Sequence, residues 1–187
     1  MLKKNDLITV RIDTIGNDGE GIGRADGYAR LEKILEASPD RTTPQCALHR
    51  RCGGCQIQAL SYEKQLSYKQ QKVRENLIRI GGFSEPEVLP VLGMENPYHY
   101  RNKAQFPFGK DKEGRIVTGF YAGRTHTIVP GTDCAIGVRE NKEILELILQ
   151  FMNQHGIEPY NESTGKGLLR HVLIRKGFAT GELMVCL

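Results

Sequence analysis

The residues best suited to chemistry in this 187-residue chain are its cysteines, three of which stand in one short segment. Cys46, Cys52 and Cys55 are separated by five and by two residues. The two glycines between Cys52 and Cys55 leave the backbone unhindered, so that thiolates can converge and N–H groups can approach a bound sulfide. A metal centre here needs a fourth ligand. Cys134 is the better candidate because it follows a turn-like sequence, whereas Cys186 alternates within an apparent strand and is predicted to be a buried small apolar residue.

The cysteine spacing alone leaves several kinds of site open. The odd number of five cysteines argues against a closed set of secreted disulfides, and thiols in a reducing cytosol stay free for metals. Zinc is the first alternative to an iron–sulfur cluster, with His49 as a substitute ligand, although structural zinc usually takes two paired knuckles. Unrelated free thiols are a further alternative. A redox pair is disfavoured, since no helix of a thioredoxin-like βαβ unit follows the two glycines.

The elements that must position these cysteines are short strands and two helices. Helices are predicted from the Ser61 cap to the Gly81-Gly82 pair and over residues 140–155, followed by Gly156. Alternating or β-branched runs predict strands at residues 7–12, 101–108, 115–122, 125–129, 168–175 and 182–187. The turns at 109–114 and 177–181 make two of these pairs hairpins. The fold class is therefore α+β with antiparallel sheet.

Periodicity also predicts which side chains face the core. The first helix carries an apolar stripe at Tyr62, Leu66, Val73, Leu77 and Ile80. The second carries one at Ile144, Leu145, Ile148, Phe151 and Met152. On the strand at 101–108, a core position is favoured over base stacking for Phe106 and Phe108.

Positive charge is concentrated around the cysteine segment. The formal net charge is +4, but residues 41–80 hold eight Lys and Arg against two Glu. This asymmetry favours a polyanionic partner, although a solvated helix face would give the same count. The sequence contains no apolar run long enough to span a membrane, and its first residues lack the apolar core of a signal peptide. We therefore expect a cytoplasmic location and no membrane association.

Longer motifs carry a resemblance to a known family. The segment 46–56, which reads Cys-Ala-Leu-His-Arg-Arg-Cys-Gly-Gly-Cys-Gln, resembles the cluster loop of bacterial RNA uracil-5-methyltransferases of the 23S ribosomal RNA branch. Further matching segments are 58–62, 69–72, 98–103, 119–121 and 133–134. The resemblance implies that Cys46, Cys52, Cys55 and Cys134 bind a 4Fe–4S cluster, with a structural role.

The first forty residues look like a TRAM domain, a small RNA-binding β-barrel of the OB type that precedes the cluster in this family. The turn at residues 18–23 carries the likeness. After Gly27-Tyr28 the chain passes directly to residues 29–35, which resemble the end of the barrel, so its middle strands are missing. The resemblance thus implies an incomplete TRAM-like segment at 1–40, followed at 41–187 by the cluster loop and a central RNA-binding domain.

The catalytic part of the family is expected to lie outside this chain. Its S-adenosylmethionine-binding domain would begin near Leu187, and Cys186 follows Val185 in place of the proline that precedes the family's nucleophile. The resemblance implies the N-terminal RNA-recognition and iron–sulfur part of a monomeric 23S rRNA (uracil-5-)-methyltransferase, inactive by itself. The alternatives are a non-catalytic RNA-binding zinc or iron–sulfur module and, less favoured by the cysteine spacing, a radical methylthiotransferase.

Contacts with 23S ribosomal RNA are predicted beside the cluster loop and on the sheet. Arginine and lysine side chains held at rigid positions can meet phosphates at fixed geometry, and exposed aromatic rings can stack on bases. The predicted RNA-binding residues are Arg50, Arg51, Tyr100, Arg101, Lys103 and His171. For His171, which follows Arg170, an RNA contact and a structural role are both open.

Overall fold

The computed structural model of the chain describes residues 3, 5–16, 19–24 and 28–187. The chain forms two compact units, and each unit consists of two separate segments of the sequence. The first unit comprises Met1–Thr43 and Gln56–Gly93, and the second comprises Pro44–Cys55 and Met94–Leu187. The predicted boundary after residue 40 rests on the resemblance and stays a prediction. Within the described residues no helix has the length and apolar composition needed to span a bilayer.

The sheet of the first unit is a two-stranded antiparallel ribbon. Strand β1 (Ile12–Ile15) pairs with β2 (Gly21–Gly23) around a turn in which Gly19 has a φ of +84°, in the left-handed region that favours glycine. The predicted strand at 7–12 is wrong, because among the described residues only Ile12 of this range has a strand partner, and Leu7 is exposed. The described residues form no closed barrel. Two residues on which the predicted TRAM likeness depends, Asp18 in the turn and Gly27 after it, lie outside the described residues.

The first helix has the predicted ends but lacks the predicted buried face. Helix α1 (Tyr62–Arg79) begins at Ser61, whose hydroxyl accepts a hydrogen bond from the Lys64 N–H at 3.3 Å. None of the residues of α1 is buried; Val73 is 49% exposed, and Ile80, just after the helix, is 83% exposed. The other three residues of the predicted stripe are half-buried. The predicted apolar stripe of α1 is therefore only partly buried.

The second unit is a five-stranded antiparallel sheet with one helix. Its strands are β3 (Lys103–Lys110), β4 (Ile116–Tyr121), β5 (Ile128–Pro130), β6 (His171–Lys176) and β7 (Leu183–Cys186), in the order β5-β4-β3-β6-β7. Helix α2 is Glu140–His155, as predicted, and Gly156 ends it in the left-handed conformation. Both predicted hairpins are confirmed. Strand β5 begins later than predicted because Thr125 lies in a turn, where its N–H donates to the Ala122 carbonyl.

The core of the second unit lies between one face of the sheet and α2. Phe106 and Phe108 are buried, as predicted, and the Phe106 ring packs 4.8 Å from that of Phe120. Helix α2 contributes Leu145 and Met152, which are 0% and 1% exposed. The inward position predicted for Phe151 is wrong: this ring is 52% exposed and packs on His155 of its own helix.

One cysteine differs from its predicted environment. Cys186 lies in a strand, as predicted, but is exposed and not buried. The reason is its place in the sheet, since β7 is an edge strand that pairs with β6 alone and all four of its residues are exposed.

Candidate metal centre and nucleic-acid interface

The cysteine segment of the second unit is a succession of tight turns. The His49 N–H donates to the Cys46 carbonyl at 3.1 Å, and the N–H groups of Arg51 and Cys52 both donate to the Leu48 carbonyl, at 2.9 and 2.8 Å. These bonds satisfy the backbone locally, so the segment needs no strand or helix of its own. They also compress the five residues that separate the first two cysteines.

The segment is attached to the end of β4 by a close backbone contact. The Gly53 N–H donates to the Tyr121 carbonyl at 2.9 Å, and Cys52 forms a β-bridge with Ala122. A Cβ atom on Gly53 would lie 2.9 Å from the Gly123 Cα, so a side chain at this position would separate the two backbones. The glycine between the cysteines therefore serves the docking of the loop on the sheet, in addition to any role beside a metal.

Cys134 stands in a turn after β5 that a separate segment of chain holds in place. The Gly137 N–H closes the turn on the Cys134 carbonyl at 3.0 Å. His99 donates its N–H to the Ala135 carbonyl, and its ring Nδ1 lies 2.9 Å from the Gly137 oxygen. The Arg101 N–H donates to the Ile136 carbonyl at 2.8 Å. The motif at residues 98–103 thus holds the Cys134 turn in place through hydrogen bonds from His99 and Arg101.

The structure brings the four predicted ligands into one electrostatic environment. Cys46, Cys52, Cys55 and Cys134 all belong to the second unit, are half-buried and form no disulfide. Burial raises the pKa of Cys52 and of Cys55, and the charges of the other thiolates in the set, above all Cys134, raise both further. The Arg101 guanidinium opposes this by lowering the pKa of both thiols. The charges of the neighbouring thiolates and of the Arg101 guanidinium therefore both act on the ionisation of Cys52 and Cys55.

Two further observations bear on metal binding. The Gly54 N–H donates to the Cys52 sulfur at 3.4 Å, which is the kind of contact that a metal-bound thiolate receives. Within the described residues, however, no three side chains of His, Cys, Asp or Glu converge closely enough to hold a single metal ion.

A buried amide beside Cys134 was missed by the sequence reasoning. Asn141, in the first turn of α2, is 2% exposed, and neither its Nδ2 nor its Oδ1 has a hydrogen-bond partner. Its Nδ2 would lie 2.8 Å from a Cβ placed on Gly137, and the Cys134 Cβ would lie 3.5 Å from the same point. The available signal was the spacing to Leu145, four residues later, which places Asn141 on the buried face of the helix.

The predicted RNA-binding residues fall into two groups in the second unit. Arg50 and Arg51 are exposed in the cysteine segment, and Tyr100 is 43% exposed beside the half-buried Arg101. Lys103 and His171 lie on the sheet. Both face away from α2, because their neighbours along each strand are the buried core residues.

The face of the sheet opposite α2, called the open face here, is exposed at Lys103 and Arg175 and buried at Pro107, and it carries one more basic residue than was predicted. Lys103 pairs directly with Arg175, Gln105 with Leu173, and Pro107 with His171, and paired residues share a face of the sheet. Arg175 was missed, although its spacing of four residues from His171 places both on one side of a strand. Burial, with the nearby charge of Arg170, lowers the pKa of His171, so its ring is neutral at pH 7.

Comparison with known proteins connects this fold to RNA methyltransferases. No protein-family model matches the chain. It is 38% identical, over an alignment 212 positions long, to a Halalkalibacterium halodurans protein named an uncharacterized RNA methyltransferase, and this alignment covers 100% of the chain and 46% of that protein. A Bacillus cereus protein of the same description is 39% identical, with 98% and 45% covered, and one from Clostridium acetobutylicum is 40% identical, with 100% and 46% covered.

These figures also show how much of its relatives the chain spans. The chain spans somewhat less than half of their length. In addition, the alignment with the H. halodurans protein extends over 212 positions, whereas the chain has 187 residues, so the matched region of that protein contains residues without a counterpart here.

A solved structure shares the fold. The crystal structure of Pyrococcus abyssi tRNA (uracil-54, C5)-methyltransferase in complex with S-adenosyl-L-homocysteine matches 95% of the chain and 44% of that protein, with a TM-score of 0.68 and 23% identity. Over its whole length, this chain is thus a homologue of part of proteins named RNA methyltransferases, and it has the fold of part of a uracil-C5 methyltransferase.

Proposed function

We propose that the chain is the RNA-recognition and iron–sulfur part of an RNA uracil-5-methyltransferase that acts on 23S ribosomal RNA. The observation that carries this proposal is the similarity of the entire chain to proteins named RNA methyltransferases, joined to a fold found in a uracil-C5 methyltransferase. The S-adenosyl-L-homocysteine in that structure supports S-adenosylmethionine as the methyl donor of the proposed complete enzyme.

In this proposal the chain binds and orients RNA, and the methyl transfer takes place in the remainder of the longer protein. A uridine that receives a methyl group on C5 must leave its stack to reach the reacting groups, so part of the enzyme must hold the surrounding RNA. No residue of this chain is assigned to catalysis. Cys186 follows Val185 and lies exposed on an edge strand, which does not match the proline-preceded nucleophile of the family.

The cysteines are chemically suited to the proposed cluster. Four thiols that influence one another, with a backbone N–H donated to one sulfur and a guanidinium nearby, form a donor set typical of iron–sulfur sites. A four-iron cluster does not need three donors around one ion, because each of its cysteines binds a different iron atom. Cys46, Cys52, Cys55 and Cys134 would hold it. Such a cluster would supply a covalent link between the cysteine segment and the turn after β5.

The open face of the sheet supports the proposal of an RNA contact. Lys103 and Arg175 are directly opposite each other, and two like charges in cross-strand register cost stability unless an anion lies between or above them. A phosphate would meet both side chains. The neutral ring of His171 lies two registered pairs further along the same face, where it can stack on a base. Arg50 and Arg51 add exposed positive charge from the cysteine segment.

The proposal is tested by measuring the binding of the 187-residue chain to two RNAs at several salt concentrations. Labelled 23S ribosomal RNA stem-loops that contain a uridine in a loop are compared with a transfer RNA arm of equal length. We expect tighter binding to the ribosomal RNA, with affinity falling as salt rises because phosphate contacts release counterions. Equal or tighter binding to the transfer RNA arm would overturn the ribosomal assignment, and no binding to either RNA would overturn RNA recognition itself.

A further inference from the structure

The side chain of Asn141 is a buried amide that lacks hydrogen bonds. Both polar atoms of the Asn141 side chain are buried without a partner, and the residue is 2% exposed. A buried amide without hydrogen bonds destabilises the fold, because its polar atoms have lost water and gained no partner. Leucine has a similar size and would avoid that cost in an apolar core. A polar side chain in this position therefore indicates a hydrogen bond that the chain makes only when a further group is bound nearby.

The position of the amide indicates which kind of partner it meets. Asn141 Nδ2 lies 2.8 Å from the point that a Cβ on Gly137 would occupy, in the turn that begins with Cys134. The Cys134 Cβ and carbonyl oxygen lie 3.5 and 3.6 Å from the same point. A side chain on Gly137 would meet Nδ2 at 2.8 Å and push it away. The absence of a side chain at this position thus allows the amide to reach the vicinity of the cysteine.

The neighbouring protein groups are already engaged. The Gly137 carbonyl contacts the His99 ring, and the Cys134 carbonyl accepts from the Gly137 N–H. The Ala135 and Ile136 carbonyls accept from the N–H groups of His99 and Arg101. The acceptor of this turn to which the structure assigns no donor is the Cys134 sulfur. A thiolate bound to a metal keeps lone pairs that accept N–H donors.

We propose that Asn141 is a positioning residue of the metal centre, and that its Nδ2–H donates a hydrogen bond to the Cys134 sulfur when that sulfur is bound to metal. This rests on the cluster of the proposed function. The bond orients the cysteine from the side of α2 and draws negative charge from the sulfur. Both effects favour metal retention, and the second makes the reduced state of an iron–sulfur centre easier to form.

The experiment compares Asn141→Leu with Asn153→Leu in the anaerobically purified 187-residue chain. Asn153 is a matched control because it is an exposed asparagine of the same helix, and its Nδ2 donates to the Leu149 carbonyl. Three quantities are measured: iron retained against a chelator, the reduction potential of the bound centre, and the urea midpoint of the metal-free chain. Asn141→Ala is a second variant for the case that leucine does not fit.

We expect Asn141→Leu to retain metal about 10- to 100-fold less well than wild type, as the loss of an outer-shell partner does. Its reduction potential should become more negative, while its metal-free urea midpoint stays equal or rises. Asn153→Leu should match wild type in retention and potential. An unchanged potential and retention in both Asn141 variants would overturn the inference, and the amide would then serve only the fold or a buried water.

The wild-type arm separates this inference from the proposed function. If the wild-type chain holds iron and only the Asn141 result is negative, the cluster stands and the role of Asn141 is wrong. If the wild-type chain holds no iron, the cluster assignment fails, and the inference fails with it.

Discussion

All the buried apolar side chains of the described residues lie in the second unit, whereas helix α1 of the first unit has no buried residue. The first unit relies on individual polar contacts. The Tyr68 hydroxyl donates to the Gly16 carbonyl at 2.6 Å, and the Gln70 side chain donates to the Val88 carbonyl at 2.8 Å. Each such bond contributes about 1 kcal/mol, against several for a large buried ring.

This difference explains where a site of fixed geometry can form. A metal centre and a phosphate-binding face both require side chains held in place by packing, and both candidate sites lie in the second unit. The cysteine segment is the exception within that unit. This segment is a short loop that few backbone contacts attach to the sheet. A bound metal would therefore contribute most to holding the loop in place.

The largest expected effect therefore concerns that attachment. Cys134→Ser should remove the cluster and lower the free energy of unfolding by about 4 kcal/mol. This value follows from the analogy with a cross-link that closes a loop of about 80 residues, the length of chain from Cys55 to Cys134. Urea unfolding with parallel iron analysis measures both.

Cys186→Ser is the matched control for this change. Its thiol is exposed on the edge strand, so the substitution should leave the iron content unchanged and cost about 1 kcal/mol or less. If Cys186→Ser lost the iron and Cys134→Ser kept it, the ligand assignment would be wrong.

The next effect compares one buried ring with one exposed ring. Phe106 is 0% exposed in the core of the second unit, so Phe106→Ala should destabilise by about 3–5 kcal/mol through lost burial and a cavity. Phe83, in the first unit, is 58% exposed, and Phe83→Ala should cost about 1 kcal/mol or less. Similar losses from the two variants in urea unfolding would contradict the contrast between the units.

A smaller effect tests the polar contacts of the first unit. Tyr68→Phe removes the hydroxyl that reaches Gly16 and should cost about 1 kcal/mol. Tyr28 is fully exposed, and Tyr28→Phe should change nothing measurable. Hydrogen exchange of the amides around Gly16 is the sharper readout, since loss of the contact should speed exchange in the first unit alone. Unchanged exchange in Tyr68→Phe would show that the contact does not order this unit.

The smallest effect concerns RNA binding by the open face. Lys103→Ala should weaken the binding of different RNA sequences by a similar factor and reduce the slope of log affinity against log salt by about one. Lys112→Ala, in the β3–β4 turn, is the control and should leave that slope unchanged. A reduced slope for Lys112→Ala alone would place the RNA elsewhere on the unit.

The sequence predicted the elements of the second unit well because local signals and tertiary packing agree there. The alternation around Phe106 and the turn at residues 109–114 both specify a hairpin, and the helical spacing at Leu145 matches the face that packs on it. The class, both helices and both hairpins followed from such agreement.

The errors occur where a pattern had no partner to complete it. Residues 7–11 alternate like a strand, but among the described residues of the first unit no strand pairs with them. The alternation around Cys186 predicts a strand, and that prediction is confirmed. Its predicted burial also required other residues to pack over β7, but all four residues of this edge strand are exposed. Asn141 and Arg175 were missed because a single polar residue in a periodic segment is recognised as part of a site only when its neighbours in space are known.

The most direct test of the account is metal and sulfide analysis of the 187-residue chain after anaerobic purification, with the four ligand candidates intact. The account predicts a brown protein with about four irons and about four acid-labile sulfides per chain, as one 4Fe–4S cluster requires. Stoichiometric zinc without iron under the same conditions would contradict it, and the four thiols would then belong to a zinc-binding RNA module.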